Sequence, residues 1–476
     1  LLRAAEELGL CKLYSDGNME AFCYEDKDNF KDSDNMQAFL SLAERQFIIK
    51  SELDGLRAQK DLRIPGLSDN CTLHHRDNIC ECCHHGFHHG QKLESAGVVG
   101  DTFPLHNQVK LRHLSQSWYS GNQPTQPLDE INEYFGSSVA FYFSFLDFYT
   151  WSLLLPAILG LFITCFSGEV QTEIIGSLSG SHDSHLEHDS GVSGHMVQAV
   201  FSMLWSTVVM ELWKRRSSTQ SYRWGTLHLA ERFAEPRPGF QGDIGVNPVT
   251  GRVEPLFPGM AERPDHCCGV SASENHREES SFQNHLTAKV LVFTFFNYFA
   301  VLFHIAFFKQ DVPLLRKRLA SLLIITQLVN QATEVVIPFI VDRLLSAPHR
   351  TESKDDPEED KFRNQSTLPA YPGLFAEYIE LLVQFGYLSL FSCVYPLTAM
   401  LLLINNVTEI RSDAYKICKL FRKPFAPPAA NMGVWQHLLI LVKLLLRVLI
   451  PDEPDWIRKK REHIEFKSLR ALREQV

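Results

Sequence analysis

No cationic surplus exists in this sequence. Its 46 Lys and Arg residues are outnumbered by 56 Asp and Glu, giving a formal net charge of -10. A protein that works chiefly on nucleic acid needs basic surface to replace phosphate counterions, so that class is excluded. The 11 Cys show no regular disulfide spacing, and several stand inside apolar runs, which fits reduced structural thiols. No signal peptide opens the chain, which begins Leu1-Leu2-Arg3 without Met; the expectation is that the natural N-terminus lies upstream. There is no internal repeat, no phosphate-binding loop and no nucleophile–base pair. An enzyme of the hydrolase or ATP-driven pump type is therefore not expected.

What the sequence does have is apolar residues in blocks. Hydrophobic residues make up 45% and Phe alone numbers 33, although the mean hydropathy is only -0.11. The first block, Val139–Phe166, carries one charge, Asp147, and one interior proline, Pro156. About 20 apolar residues cross a bilayer, so this block predicts a membrane span. Further spans are predicted near 197–213, 288–308, 319–341, 377–393, 397–413 and 438–450, the pair around 377–413 being divided at Pro396. Lys214-Arg215-Arg216 directly follows the second span and marks its cytosolic end, so the first span leaves the cytosol and the second returns. The fold class expected is an α-helical polytopic membrane protein with an N-terminal α+β cytosolic domain. Residues 1–137 form that domain, with helix-like Ala38–Arg57, strand-like Ala21–Tyr24 and a Cys/His-rich insertion at 71–89. Residues 138–450 form the transmembrane bundle, and 451–476 a basic cytosolic helix.

Acidic residues near the ends of these spans carry the chemistry, because charge inside a membrane helix is costly. Asn330 and Glu334 stand four apart, Glu377 and Glu380 three apart, and Glu409 and Asp413 four apart. Each spacing places both side chains on one helix face. Five facing carboxylates repel one another, and a hard divalent cation resolves the conflict. Calcium accepts six to eight oxygens at flexible geometry; magnesium demands stricter geometry, and zinc prefers the Cys or His absent from these faces. The competing reading is a set of interfacial acids that contact lipid headgroups or pair with Arg411 and Lys416. Those two cations leave most of the carboxylates uncompensated.

The chain resembles the anoctamin family of calcium-activated channels and lipid scramblases, and within it the endoplasmic-reticulum scramblase branch. The resemblance is carried by Phe47–Leu53, Tyr134-Phe135-Gly136, Glu211-Leu212-Trp213-Lys214-Arg215, Tyr222-Arg223-Trp224-Gly225-Thr226, Glu235–Phe240 and Gln283–Leu286, in family order. Gln384-Phe385-Gly386-Tyr387, Asn405-Asn406, Glu409–Asp413 and Ile450-Pro451-Asp452 complete it. The resemblance implies that Asn330, Glu334, Glu377, Glu380, Glu409 and Asp413 bind two calcium ions. It also implies a further calcium site at which Glu211 and Asp452 stand, although an acid such as Glu211 beside Lys214 is more often an interfacial one. Implied partners are membrane phospholipids and a second copy of the chain in a homodimer. The implied location is the endoplasmic reticulum rather than the plasma membrane.

Two departures stand out. Phe257-Pro258 runs through a short polar stretch to Glu274–Arg277 where the family has its third and fourth helices, and Gly433–Gln436 runs on where it has its ninth. The Cys/His patch, from Cys71 to His89, matches no regular zinc spacing and reads as an insertion. His182, His185 and His188 carry still less signal, and the sequon Asn364-Gln365-Ser366 is expected to face the cytosol unused. The function expected is calcium-activated, ATP-independent phospholipid scrambling. A calcium-gated ion channel, a membrane adaptor or an inactive short form are the alternatives.

Overall fold

The computed structural model describes residues 1–54, 102–119, 125–166, 190–227, 279–326 and 357–425. It also describes short pieces at 62–63, 72–73, 100, 243–246, 253–256, 329, 332–333, 340 and 429. Two units emerge: 1–104 with 221–290 and 425–434, and 105–220 with 291–424 and 435–476. The spans expected at 438–450 and over most of 327–341, the C-terminal helix, and nearly all of the Cys/His patch lie outside the described residues.

In the first unit, α1 (Leu2–Glu7) leads into an antiparallel hairpin of β1 (Cys11–Leu13) and β2 (Met19–Ala21), with Cys11 opposite Ala21. Helices α2 (Met36–Phe39) and α3 (Leu42–Asp54) follow. The sequence predicts one helix over Ala38–Arg57, but the structure restarts it at Ser41. The reason is a capping box: the Glu44 N–H donates to Ser41 Oγ at 3.2 Å, and Glu44 Oε2 accepts the Ser41 N–H at 2.8 Å. The same carboxylate takes the Lys12 ammonium at 2.6 Å. Beneath them Phe22, Phe30, Phe39, Leu40 and Ile48 are buried together. Phe22 meets Phe30 and Phe39 edge-on at 5.2 and 5.1 Å, a geometry worth about 0.5–1.5 kcal/mol per pair beyond burial. Two further two-stranded ladders belong to this unit, β3 (Leu62–Arg63) with β4 (Thr72–Leu73) and β5 (Asp243–Val246) with β6 (Val253–Leu256).

The second unit is helical. Helices α4 (Gln108–Trp118) and α5 (Leu128–Phe135) precede α6 (Ser137–Ser152) and α7 (Leu154–Phe166). Gly136 separates α5 from α6 at φ 95° and ψ 169°, a backbone region that residues with a Cβ avoid, which accounts for the glycine in Tyr134-Phe135-Gly136. Ser137–Cys165 is, among the described residues, the one helix long and apolar enough to cross a membrane. Its break at Leu153 follows from Pro156, which has no N–H to give the Ser152 carbonyl. The indole N–H of Trp205, on α8 (Ser190–Arg223), donates to that carbonyl at 3.0 Å instead. Downstream come α9 (Glu279–Phe303), α10 (Val312–Ser321), α11 (Pro357–Ser366), α12 (Phe375–Phe391) and α13 (Thr398–Tyr415). Short π-helical stretches, His304–Lys309, Leu322–Thr326 and Lys416–Leu420, extend α9, α10 and α13. Pro396 lies between the two helices of the 377–413 region.

Helix α13 packs against α7, α6, α12 and α4 and forms the centre of this unit. Where α7 passes the start of α13, a Cβ on Gly160 would lie 2.0 Å from the Pro396 carbonyl oxygen, so only glycine lets these two backbones meet. Helix α8 buries a mixed set of side chains that includes Trp205, Val209 and Trp213. Val197, Val200, Met203, Leu204 and Val208 are exposed, whereas Gln198, Ser202, Ser206 and Glu211 are buried. At the edge of the unit the His106 backbone N–H donates to Gln365 Oε1 at 2.7 Å, and the His106 ring lies 3.0 Å from the Tyr134 hydroxyl. Burial, with the nearby Lys423 ammonium second, pulls His106 down to about 4 and keeps it neutral.

Candidate metal centre

The acids of α12 and α13 come from two sequence patterns. Glu377 lies in the first turn of α12, where the helix dipole favours negative charge, and Glu380 lies on the same face one turn later. On α13 the buried face reads Leu402, Asn406, Glu409 and Asp413, a stripe of helical period that turns polar in its second half. Packing α12 against α13 brings one carboxylate oxygen each of Glu377, Glu380 and Glu409 within 4.8 Å of one another. Oxygens on opposite sides of a bound calcium stand about 5 Å apart, since each lies ~2.3–2.6 Å from the ion.

Amides line the cluster. Asn405 Nδ2 donates to Glu409 Oε2 at 2.8 Å, and Gln384 Nε2 reaches the same oxygen at 3.4 Å. Gln384 Oε1 and both amide atoms of Asn406 are buried without a hydrogen-bond partner. Buried polar atoms of this kind are unusual and costly, about 1–3 kcal/mol each. The donor set is therefore all oxygen and anionic, with spare amide oxygens beside it, which suits a hard cation such as calcium and not zinc.

Asp413 is held differently. One of its oxygens accepts the Tyr142 hydroxyl from α6, and the other lies 2.7 Å from the Lys416 ammonium, which also reaches Glu377 at 3.1 Å. Lys416, one of the two cations weighed as acid partners, is thus buried among the acids, whereas Arg411 is exposed. Glu211 forms its own buried pair with Lys214 at 2.8 Å on α8 and is not among the acids brought together. Asn330, Glu334 and Asp452 lie outside the described residues. Sequence reasoning overlooked Tyr142, whose hydroxyl sits in an otherwise apolar run. It met Gln384 and Asn405-Asn406 only as parts of familiar motifs.

The family model described as "Anoctamin: Calcium-activated chloride channel" matches residues 131–273 and 265–439. The two pieces overlap in the stretch between Phe257-Pro258 and Glu274, where the third and fourth helices of that pattern were expected to be missing. Anoctamin-10 of Danio rerio is 34% identical across 99% of this chain and 86% of its own length. Anoctamin-10 of Homo sapiens is 33% identical across 100% of this chain and 85% of its own length. Both alignments run beyond 590 positions against 476 residues here, so more than a hundred aligned positions have no counterpart in this chain. Anoctamin-8 of Mus musculus is 29% identical over 72% of this chain.

Proposed function

This chain belongs to the anoctamin family of integral membrane proteins, and on that premise we propose that it is a calcium-activated, ATP-independent phospholipid scramblase of intracellular membranes. The endoplasmic reticulum is its proposed location, and a homodimer its working form. The observation that carries the reading is the convergence of the half-buried Glu377 and Glu380 on the buried Glu409, in a cluster edged by unpartnered amide atoms. When bound, calcium supplies positive charge that offsets carboxylate repulsion. The chain's own residues do the rest: Glu377 and Glu380 fix α12, and Glu409 and Asp413 fix α13, with Asn405 and Tyr142 aiming two of the carboxylates. Asn330 and Glu334, from the span expected before α12, complete the set by family position. The same expected span contains Thr326, Gln327, Gln331 and Thr333, a polar set suited to passing headgroups. Glu211 and Asp452 are proposed for a second site, where Glu211 exchanges Lys214 for the metal. The exposed Val197, Val200, Met203, Leu204 and Val208 of α8, beside its buried polar residues, support several spans rather than one.

The missing helices bear on activity. A groove that lacks the third and fourth helices leaves the polar set facing lipid tails, at several kcal/mol per unsatisfied group. We therefore expect binding and transport to come apart. Calorimetry on the purified chain should show calcium binding that Glu377→Gln with Glu380→Gln largely abolishes; unchanged affinity in that double variant would sink the site. In a dithionite assay on labelled liposomes the chain should scramble far more slowly than full-length Anoctamin-10. Equal rates would mean that the groove is assembled another way. The family model's own description favours a second reading, a calcium-activated chloride channel, and calcium-dependent anion current without lipid exchange would establish it in place of the first.

A further inference from the structure

The acidic cluster already holds a cation of its own. Lys416 begins the π-helical turn that extends α13, is 5% exposed, and directs its ammonium to Asp413 Oδ1 at 2.7 Å and Glu377 Oε1 at 3.1 Å. Glu377 is at the same time one of the three acids that converge within 4.8 Å. The ammonium therefore occupies the Asp413–Glu377 end of the cluster, while Glu380 and Glu409 mark the other. An ion pair this deeply buried is strongly felt by any second cation approaching the same oxygens.

We propose that Lys416 is a tethered counter-cation that competes with calcium for Asp413 and Glu377, so that its displacement sets the calcium concentration at which the site fills. The inference rests on the calcium reading above and deepens it. Two consequences follow from the chemistry. With Lys416 in place the acids are partly neutralised at low calcium, which lets α12 and α13 stay packed without metal. When its two oxygens are taken, the ammonium must leave a buried position, and the π-helical turn that carries it must rearrange.

The test is calcium titration by calorimetry on the purified full chain, comparing wild type with Lys416→Met and Lys416→Arg. Lys416→Met keeps the length and removes the charge, and it should bind calcium at least about tenfold more tightly. Lys416→Arg should bind no tighter than wild type. Unchanged or weaker binding in a folded Lys416→Met overturns the inference while leaving the calcium reading intact. A wild-type chain that binds no calcium overturns both. Should Lys416→Met fail to fold without metal, amine acetylation of the wild type decides. Peptide mass spectrometry should show Lys416 modified slowly in chelator and several-fold faster in calcium; equal or slower modification in calcium overturns the inference.

Discussion

The hairpin-and-helix core near the N-terminus and helix α8 solve opposite problems with the same residue types. In the first, aromatic rings fill the interior: Phe22, Phe30 and Phe39 stack edge-on beneath a capped helix, and the polar pair Lys12–Glu44 lies at the margin. In the second, serine, glutamine and an acid–base pair point inward beside Trp205 and Trp213, while Val200, Met203 and Leu204 point out. The difference lies in which side chains each segment hides. Hydrophobicity alone does not separate them; direction does.

The largest test contrasts how the two regions fail. Phe39→Ala should cost about 3–5 kcal/mol of the N-terminal core's stability in urea, because it empties a ring-sized space. In the helical unit the injury is added bulk: Gly160→Ala drives a methyl into the Pro396 carbonyl and should cost about 1–3 kcal/mol in detergent. Equal tolerance of both changes would break the comparison. Next comes a pair matched in exposure. Ile49 is 47% and Leu204 59% exposed, yet Ile49→Lys should change stability by no more than ~0.5 kcal/mol. Leu204→Lys should cost about 2.5–3.5 kcal/mol and reduce insertion in microsomes. Normal insertion of Leu204→Lys would mean that α8 does not face lipid.

A smaller effect sharpens the account of the α6–α7 break. Trp205→Phe removes the donor to the Ser152 carbonyl and should destabilise by about 1–3 kcal/mol. With Pro156→Ala in place the carbonyl regains a backbone donor, so the same change should cost much less; additive losses would refute the substitution of indole for backbone. The smallest effect, absent at pH 7, belongs to His106. Unfolded, the imidazole takes up its proton near pH 6.5; folded, it does so only at about 4. Between those values the unfolded chain binds more protons, so stability falls as pH drops through that window. His106→Gln should flatten this part of the Tm–pH curve, and an unchanged slope would assign it to other groups.

Much of this was legible beforehand. A single charge in Val139–Phe166 marked a long apolar helix, Pro396 marked a division between two helices, and the spacings of Glu377 with Glu380 and of Glu409 with Asp413 marked helix faces from which three acids converge. The Ser41–Glu44 capping box was also readable, as Ser followed three residues later by Glu, yet apolar continuity around it concealed the helix restart. What could not be read were partners distant in sequence. Tyr142 reaches Asp413 across more than two hundred residues, and Trp205 answers a vacancy created at Pro156 on another helix. Periodicity tells which way a side chain points from its own helix, but not which neighbour it will find there. Lys416 shows the limit well: its charge and spacing were plain, and only packing decided that it turns inward.

The Gly160–Pro396 contact has a mechanical meaning. Two backbones in direct touch, with no side chain between them to compress, make a fulcrum. Helix α13 begins at that fulcrum and carries Glu409 thirteen residues further on, about 20 Å away at 1.5 Å per residue. A shift of about 2 Å at the acid end then becomes a tilt of about 6° pivoting at Pro396. A fixed contact at Pro396 would turn movement at the carboxylates into rotation rather than sliding. The helix that bears the charges is a lever whose fixed end was set by the absence of a single methyl group.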